Sequence, residues 1–438
     1  MSMETYAGAA GAGADPRGDT FFKSVYRDVS AAASRLTLST SPRENLRKLR
    51  EYRLSRSERF KFGVMIVLAM FSMVVIEEPK LPFKILVTAL YTLALLLPIT
   101  SQFILPASPI LLWLLLFYSC RFIPASTRPH IWVSVLPTLE TIWYGANISD
   151  VLTQFGHPLL DILAWIPYGV VHFIAPFVVA AFIFVYAPPG SVKFFANTFG
   201  FINLTGVLIQ IAFPCAPPWY ELREGLTPAN YGMRGSPAGL ARIDDLFHSH
   251  GYTLTFTGAP MVFGAFPSLH AAAATCESLF CSYFFPYTIR LGRVRFDVRV
   301  LYWGYTFWLY WCTMYLMHHY LIDLVAGGCL ATMFFYLFRT EEIRAVVEQQ
   351  EAARERAERG SNAPPAAIEA DAMQLDRLSP SDDKKHRVSG ESSGMPKRLE
   401  DIEAGTSTAS ASSSGTPIFA IGDSADPAPS AAHRADHP

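Results

Sequence analysis

The sequence predicts an all-α fold, a polytopic membrane helix bundle of about eight spans. Three observations predict it. The 438 residues are 51% hydrophobic and only 17% charged. The apolar residues come in long blocks, which is the pattern of membrane spans and not of a globular core. Charge is nearly balanced, at a net −1, which argues against a nucleic-acid partner.

Residues 1–40 are polar, small and mixed in charge, show no signal peptide and read as disordered. Next comes "SPRENLRKLREYRLSRSERFKF", where Ser41 suits an N-cap and Pro42 the first helical position. Leu46, Leu49 and Tyr52 recur at helical spacing among arginines, the pattern of a basic amphipathic helix on a membrane surface. Residues 1–61 thus form an N-terminal tail. Eight apolar segments follow, at 62–76, 83–105, 107–123, 160–186, 192–213, 267–286, 299–317 and 320–338. The first is short, and only "PASP" separates the second from the third, so seven spans is the alternative count. The N-terminal spans occupy 62–123 and the remaining membrane domain 124–338. After Arg339, "TEEIRAVVEQQEAARERAERG" reads as a charged helix. The rest of the 339–438 tail is rich in Ser, Ala, Pro and Asp and reads as disordered. Ser379 and Ser381 there are phosphorylation candidates on composition alone.

Basic residues orient the bundle. Arg43, Arg47, Lys48, Arg50, Arg53, Arg56, Arg59 and Lys61 precede the first span, and Arg290, Arg293, Arg295 and Arg299 follow the sixth. With eight spans both groups fall on one side, which the positive-inside rule makes cytosolic, together with both termini. Loops 124–159 and 214–266 then face the lumen or the exterior. "NIS" at 147–149 lies on that side as a weak glycosylation signal. The six cysteines, at 120, 215, 276, 281, 312 and 329, form no CxxC pair and read as small buried hydrophobes.

Two motifs carry chemistry. "GAFPSLHAAAATCESLF" (264–280) sets Pro267, Ser268 and His270 at the lip of the sixth span, and "MHHYLIDLVAGG" (317–328) sets His319 at the lip of the eighth. One hairpin separates them, so both histidines lie on the same far-side face. Asp323 follows His319 by four residues and shares its helical face. A carboxylate on one imidazole nitrogen fixes the tautomer and leaves the other nitrogen as nucleophile or base. A second histidine can then protonate a leaving oxygen and deprotonate an entering one. A carboxylate inside a span needs such a partner, since leaving it unpaired costs several kcal/mol. His318 reads as interfacial or supporting. His172, in "DILAWIPYGVVHF", reads equally as pocket lining or as a satisfied core histidine. Gly264, Gly327 and Gly328 read as close-packing positions.

"FPSLH" followed by "HHYLID" resembles the type-2 phosphatidic-acid-phosphatase superfamily, whose motifs read PSGH and H-x3-D and whose core is a six-helix bundle. Within it, "FPCAPPWYELREGLTPANYGMRGSPAGLARID" (213–244), "GAFPSLH", "MYLMHHYLIDLVAG" and "LDILAWIPYGVVHFIAPFVVAA" (160–181) resemble the fungal inositol phosphorylceramide synthase family, the target of aureobasidin A. The resemblance covers roughly 130–338. It implies transfer of phosphoinositol from phosphatidylinositol to the primary hydroxyl of ceramide, with release of diacylglycerol. It implies His319 as nucleophile or base, Asp323 as its orienting partner and His270 as acid and base, through a phosphohistidine or by direct displacement. No cofactor and no metal is implied. A small membrane accessory subunit and a Golgi membrane with a lumenal site are.

Two departures from the superfamily stand out. Its phosphatases carry an arginine six residues before the second catalytic histidine, where this chain has Thr313 after Cys312. The K-x6-RP motif is absent, with "PCAPPWYELR" in its place. A phosphodiester carries one charge and needs fewer cations than a monoester. Arg242 is the first candidate phosphate partner, against a loop salt bridge with Asp244 or Asp245, and Arg234 and Arg223 follow it. Trp219 and Tyr220 read as interfacial belt anchors or as the rim of a lipid entrance. The expected substrate-binding set is therefore Arg242, Ser268, Tyr220, Trp219 and His172. The competing readings are a lipid phosphate phosphatase of the same fold and a non-enzymatic membrane protein. The missing arginines and an apolar rim argue against the first, and the histidine pattern argues against the second.

Overall fold

The computed structural model describes residues 21–292 and 294–362. Expectations for residues 1–20, for Arg293 and for the tail from 363 onward, Ser379 and Ser381 included, lie outside the described residues.

Helix α1 (Phe21–Ala33) forms within the stretch expected to be disordered. Ala32 is buried, and just beyond the helix Arg35 donates to the Phe184 carbonyl at 2.7 Å. Phe22, Val25, Tyr26 and Val29 recur at helical spacing, a periodic signal that the reading of this stretch as disordered overlooked. Helix α2 (Pro42–Glu51) has Ser41 at its N-cap and Pro42 in its first turn, and Leu46, Leu49 and Tyr52 are exposed. Helix α3 (Arg56–Val75) opens on a capping box in which Ser55 and Glu58 exchange hydrogen bonds.

Helices α4 (Leu81–Leu96) and α5 (Pro98–Ser119) correct the expected boundary. The break falls at Leu97–Pro98 and not at 106–109. Pro98 takes the first helical position and holds Leu97 extended (φ −82°, ψ 121°). Pro106 and Pro109 lie inside α5, where Ser108 donates to the Ile104 carbonyl at 2.8 Å. Apolar spans tolerate interior prolines when neighbours and hydroxyls meet the freed backbone groups.

Loop 124–159 holds α6 (Val135–Tyr144) and α7 (Ile148–Thr153). Helix α8 (Pro158–Trp165), a π-helical turn (Ile166–Val171) and α9 (His172–Tyr186) then run on as a single apolar helix. Helix α10 (Ser191–Ala212) follows. Loop 214–266 folds into α11 (Pro218–Glu224), α12 (Ala241–Leu246) and α13 (Gly251–Thr257). Helix α14 (Leu269–Phe284) leads to a hairpin, β1 (Thr288–Leu291) with β2 (Val294–Asp297), antiparallel with Arg290 opposite Arg295. The hairpin corrects the all-α expectation. Gly292 at φ +64° supplies the left-handed turn that closes it. Helices α15 (Arg299–Tyr315), α16 (Leu321–Phe338) and α17 (Glu341–Asn362) complete the described chain.

The expected apolar segments are helical apart from their ends and the break at Leu97, which falls inside the second of them. Pro98–Phe122, Pro158–Tyr186, Ser191–Ala212 and Leu321–Phe338 are long and apolar enough to cross a membrane. Helix α10 is the central one, with 72% of its apolar window buried against 11% for Pro158–Tyr186. It lies against α5, α14 and α16, and Phe194, Phe195 and Phe199 meet Phe280, Phe334 and Phe335 there. Helix α14 presents Ala271–Ala274, all buried, so its backbone approaches its neighbours closely. An added Cβ on Gly327 of α16 would collide with the Ser268 carbonyl, which fixes that helix pair at the site. A parallel bridge from Trp132 to Cys215 joins the two long loops, and a second, from Cys215 to Gly264, closes loop 214–266 on itself.

Candidate active site

His270 sits in the first turn of α14. Ser268 is its N-cap and accepts from the Ala271 N–H at 3.3 Å, while the Ser268 N–H donates to the Asp323 carbonyl at 3.0 Å. Ser268 is fully buried. These bonds make it a cap and a tie between α14 and α16, which accounts for it without substrate. Gln210 of α10 donates to the Pro267 carbonyl at 3.1 Å and holds the chain as it enters α14.

His319 lies on the turn between α15 and α16. Met317 there has φ +63°, a left-handed conformation costly for a residue with a side chain. The turn is held by the Thr313 carbonyl, which accepts from the N–H groups of His318 (3.0 Å) and His319 (3.3 Å). Thr313 is the residue standing where the phosphatases carry arginine, and here it supports the histidine through its backbone.

The three expected residues meet. His319 Nδ1 lies 3.3 Å from Asp323 Oδ2, and His319 Nε2 lies 3.1 Å from His270 Nδ1. Asp323 is fully buried, and its Oδ2 also accepts from the Tyr320 N–H at 3.2 Å. With Nδ1–H of His319 turned to Asp323, Nε2 carries the lone pair that faces His270. The line Asp323–His319–His270 therefore presents a fixed nucleophilic nitrogen beside a second imidazole.

Aromatic rings wall the pair. Tyr168, within the π-helical turn, stacks on His270 (4.7 Å, 27°) and on His318 (5.3 Å, 7°). The His172 ring is 4.8 Å from that of His270, and its buried Nδ1 has no hydrogen-bond partner. That favours pocket lining over a satisfied core histidine. π-turns cluster at functional sites because they redirect side chains, and this one brings both Tyr168 and His172 to His270. His318 is buried between Tyr168 and Phe256 (4.7 Å) and is not interfacial. Burial, then the neighbouring His319, pushes its pKa down to about 3, so it stays neutral.

The other expected binding residues are elsewhere. Arg242 pairs with Asp161 of α8, Nη2 to Oδ1 at 2.7 Å and Nε to Oδ1 at 2.9 Å, and lies over the Tyr315 ring. Its partner is neither Asp244 nor Asp245. Asp244 instead accepts from Ser249, Tyr252 and Thr253. Tyr315 also donates to Asp161 at 2.8 Å, so the trio pins loop 214–266 to α8 and α15. Trp219 and Tyr220 are buried with Ile131, Ala216 and Phe263, and the Tyr220 hydroxyl donates to the Thr227 carbonyl at 3.0 Å. They are the core of the loop cap, neither belt anchors nor a rim. Folding of the two loops onto each other, which no local pattern encodes, puts them inside. Asn147 of "NIS" caps α7, accepting from the Asp150 N–H at 3.2 Å and donating to Glu221 at 2.8 Å. That use of its amide opposes glycosylation.

Reading the sequence missed Asp161, Tyr168, Tyr315 and Glu140. Asp161 had a signal, a lone carboxylate in the apolar run "LDILAW". Among the described residues no group of His, Cys, Asp or Glu is arranged to hold a metal ion.

Residues 131–337 match the PAP2 superfamily. The chain is 50% identical over 305 residues, 70% of each protein, to the inositol phosphorylceramide synthase catalytic subunit aur1 of Schizosaccharomyces pombe. It is 42% identical over 300 residues, 68% of this chain and 72% of the relative, to the inositol phosphorylceramide synthase catalytic subunit AUR1 of Saccharomyces cerevisiae. A bacterial relative, the phosphoinositol dihydroceramide synthase of Bacteroides thetaiotaomicron, is 31% identical over 144 residues, 33% of this chain and 44% of its own. No solved structure matches the chain. Two histidines and an aspartate in this spacing, with likeness at that level across most of the chain, leave one assignment: the chain belongs to the inositol phosphorylceramide synthase family of the PAP2 superfamily.

Proposed function

We propose that the chain transfers phosphoinositol from phosphatidylinositol to the primary hydroxyl of ceramide and releases diacylglycerol. The observation that carries this reading is the Asp323–His319–His270 line in a chain whose relatives are named inositol phosphorylceramide synthases. The substrate phosphate replaces the contact between the two imidazoles. His319 Nε2 attacks phosphorus, the bond to the glyceryl oxygen breaks, and His270 as imidazolium gives that oxygen its proton. Neutral His270 then takes the proton of the ceramide hydroxyl, whose oxygen attacks the phosphohistidine. The P–N bond breaks and its electron pair returns to Nε2. Asp323, ion-paired with His319, stabilises the positive charge that builds on it.

Arg234 is the proposed phosphate-binding cation. Arg242 is taken by Asp161 and Arg223 by Glu224, whereas Arg234 has no ion pair among the described residues. It lines a cavity of about 200 Å³ with Arg121 and Arg128, which no carboxylate lines and which neither His270 nor His319 reaches, so it suits the approach of the anionic head group and not the reacting phosphorus itself. We assign the site to the lumenal face of an eight-span bundle with a six-helix core, with both termini cytosolic, on the basic residues of 41–61 and 290–299. A Golgi membrane and a small accessory subunit complete the proposal. The name "catalytic subunit" borne by two relatives supports the latter.

The test is transfer of labelled head group from phosphatidylinositol to ceramide by the full chain, beside His319→Ala and a phosphate-release assay on phosphatidic acid. Transfer by the wild type, lost in the variant, with labelled phosphohistidine trapped before ceramide is added, is expected. Phosphate release without transfer overturns the reading.

A further inference from the structure

We propose that Glu140 is a positioning residue for the transfer, clamping the His319–Asp323 turn from loop 124–159. The inference rests on the reading of His319 as nucleophile. Glu140 is fully buried on α6 and spends its two oxygens on two separate elements. Oε1 accepts from the Ile148 N–H at 3.0 Å, in the first turn of α7. Oε2 accepts from the Leu321 N–H at 3.1 Å, the first helical residue of α16. Leu321 is two residues from His319 and two from Asp323.

Two more contacts from the loops reach the same five residues, and a third ties their donors together. Ser149 of α7 donates to the His319 carbonyl at 2.6 Å. Glu221 of α11 accepts from the Tyr320 hydroxyl and from Asn147, both at 2.8 Å. The turn that aims the imidazole is therefore held by the two far-side loops as well as by Thr313 and Asp323 of the spans. A carboxylate is the side chain this position requires. Glutamine would offer one acceptor and turn its NH2 against the second N–H, leaving a buried donor unmet. An apolar residue would fill the space but leave the Ile148 and Leu321 N–H groups without an acceptor.

Glu140 also bears on the site electrostatically. Burial, and then the nearby Asp323 and Glu221, push its pKa up to about 7, against hydrogen bonds from Ile148 and Leu321 that pull it down. Above about pH 7 it is the anion that accepts both N–H groups and adds to the field that stabilises positive charge on His319. Below that it holds a proton, which points at one of the donors it should receive. The clamp therefore loosens as pH falls through about 7.

The experiment measures head-group transfer by the full chain across pH for wild type, Glu140→Gln and Tyr320→Phe, with His319→Ala as the dead control. Glu140→Gln should lower kcat roughly 10- to 100-fold, the loss typical of a misplacement near 1 Å, with KM for phosphatidylinositol little changed. The acid limb of its kcat profile should also move. Tyr320→Phe, which leaves Glu140 in place, should lower kcat several-fold, and it stands in if the glutamine variant does not accumulate. A Glu140→Gln profile that superimposes on the wild type, or unchanged kcat in Tyr320→Phe, overturns the clamp. Wild type without transfer overturns the functional reading instead.

Discussion

His319 and His270 face each other across 3.1 Å, and their surroundings are opposite in kind. His319 is tied at every polar point: Nδ1 to buried Asp323, its N–H to the Thr313 carbonyl, its own carbonyl to Ser149. His270 has one side-chain hydrogen bond, to His319, and is otherwise held by ring contacts with Tyr168 and His172. Hydrogen bonds fix direction, while stacking fixes a plane and leaves rotation and proton exchange open. The difference supports the roles proposed for them. A nucleophile must keep one lone pair aimed at phosphorus, and a proton carrier must serve a leaving oxygen and then an entering one.

Three substitutions would break or sharpen this comparison. Asp323→Asn should have the largest effect, roughly 10³- to 10⁴-fold on kcat, because the amide no longer holds His319 in the tautomer that frees Nε2. Head-group transfer by folded protein measures it, and a loss under tenfold would make His319 an independent base. His270→Asn should cost roughly 10²- to 10³-fold, the range for one general acid–base group. The labelled phosphohistidine should still form when the leaving alcohol is activated. If His270→Asn instead abolishes labelling with such a substrate, the two roles are reversed. Ser149→Ala should be the smallest, a few-fold, since one hydrogen bond to a backbone carbonyl is worth about 1 kcal/mol. Equal losses from Ser149→Ala and Asp323→Asn would mean the turn, and not the tautomer, limits the reaction.

How much of this was legible from residues differs from part to part. The eight apolar segments and the His319–Asp323 pair were readable, because helical periodicity and an i, i+4 step are local properties. The boundary at Leu97–Pro98 was misread because two prolines at 106 and 109 were a louder signal than one at 98. Arg242 was expected first as a phosphate partner, with Asp244 or Asp245 as the alternative, and its ion-pair partner instead stands 81 residues away at Asp161. Glu140 sits 181 residues from the backbone it caps, in a loop with no motif of its own. Asp161 could have been found by the rule applied to Asp323, that a carboxylate in an apolar run needs a partner. The same rule points to Glu277, buried on α14 with no hydrogen bond to either oxygen.

The sequence by itself determined the membrane class, the helices and the chemical groups of the site, since hydropathy, capping and spacing act over a few residues. Only the tertiary structure decided which nitrogen of His319 faces its partner, that Tyr168 and His172 wall His270, and that the two far-side loops close into a buried cap around Trp219 and Tyr220. Those outcomes depend on hydrogen bonds and ring contacts between segments roughly 40 to 100 residues apart in the chain, beyond the reach of any local preference.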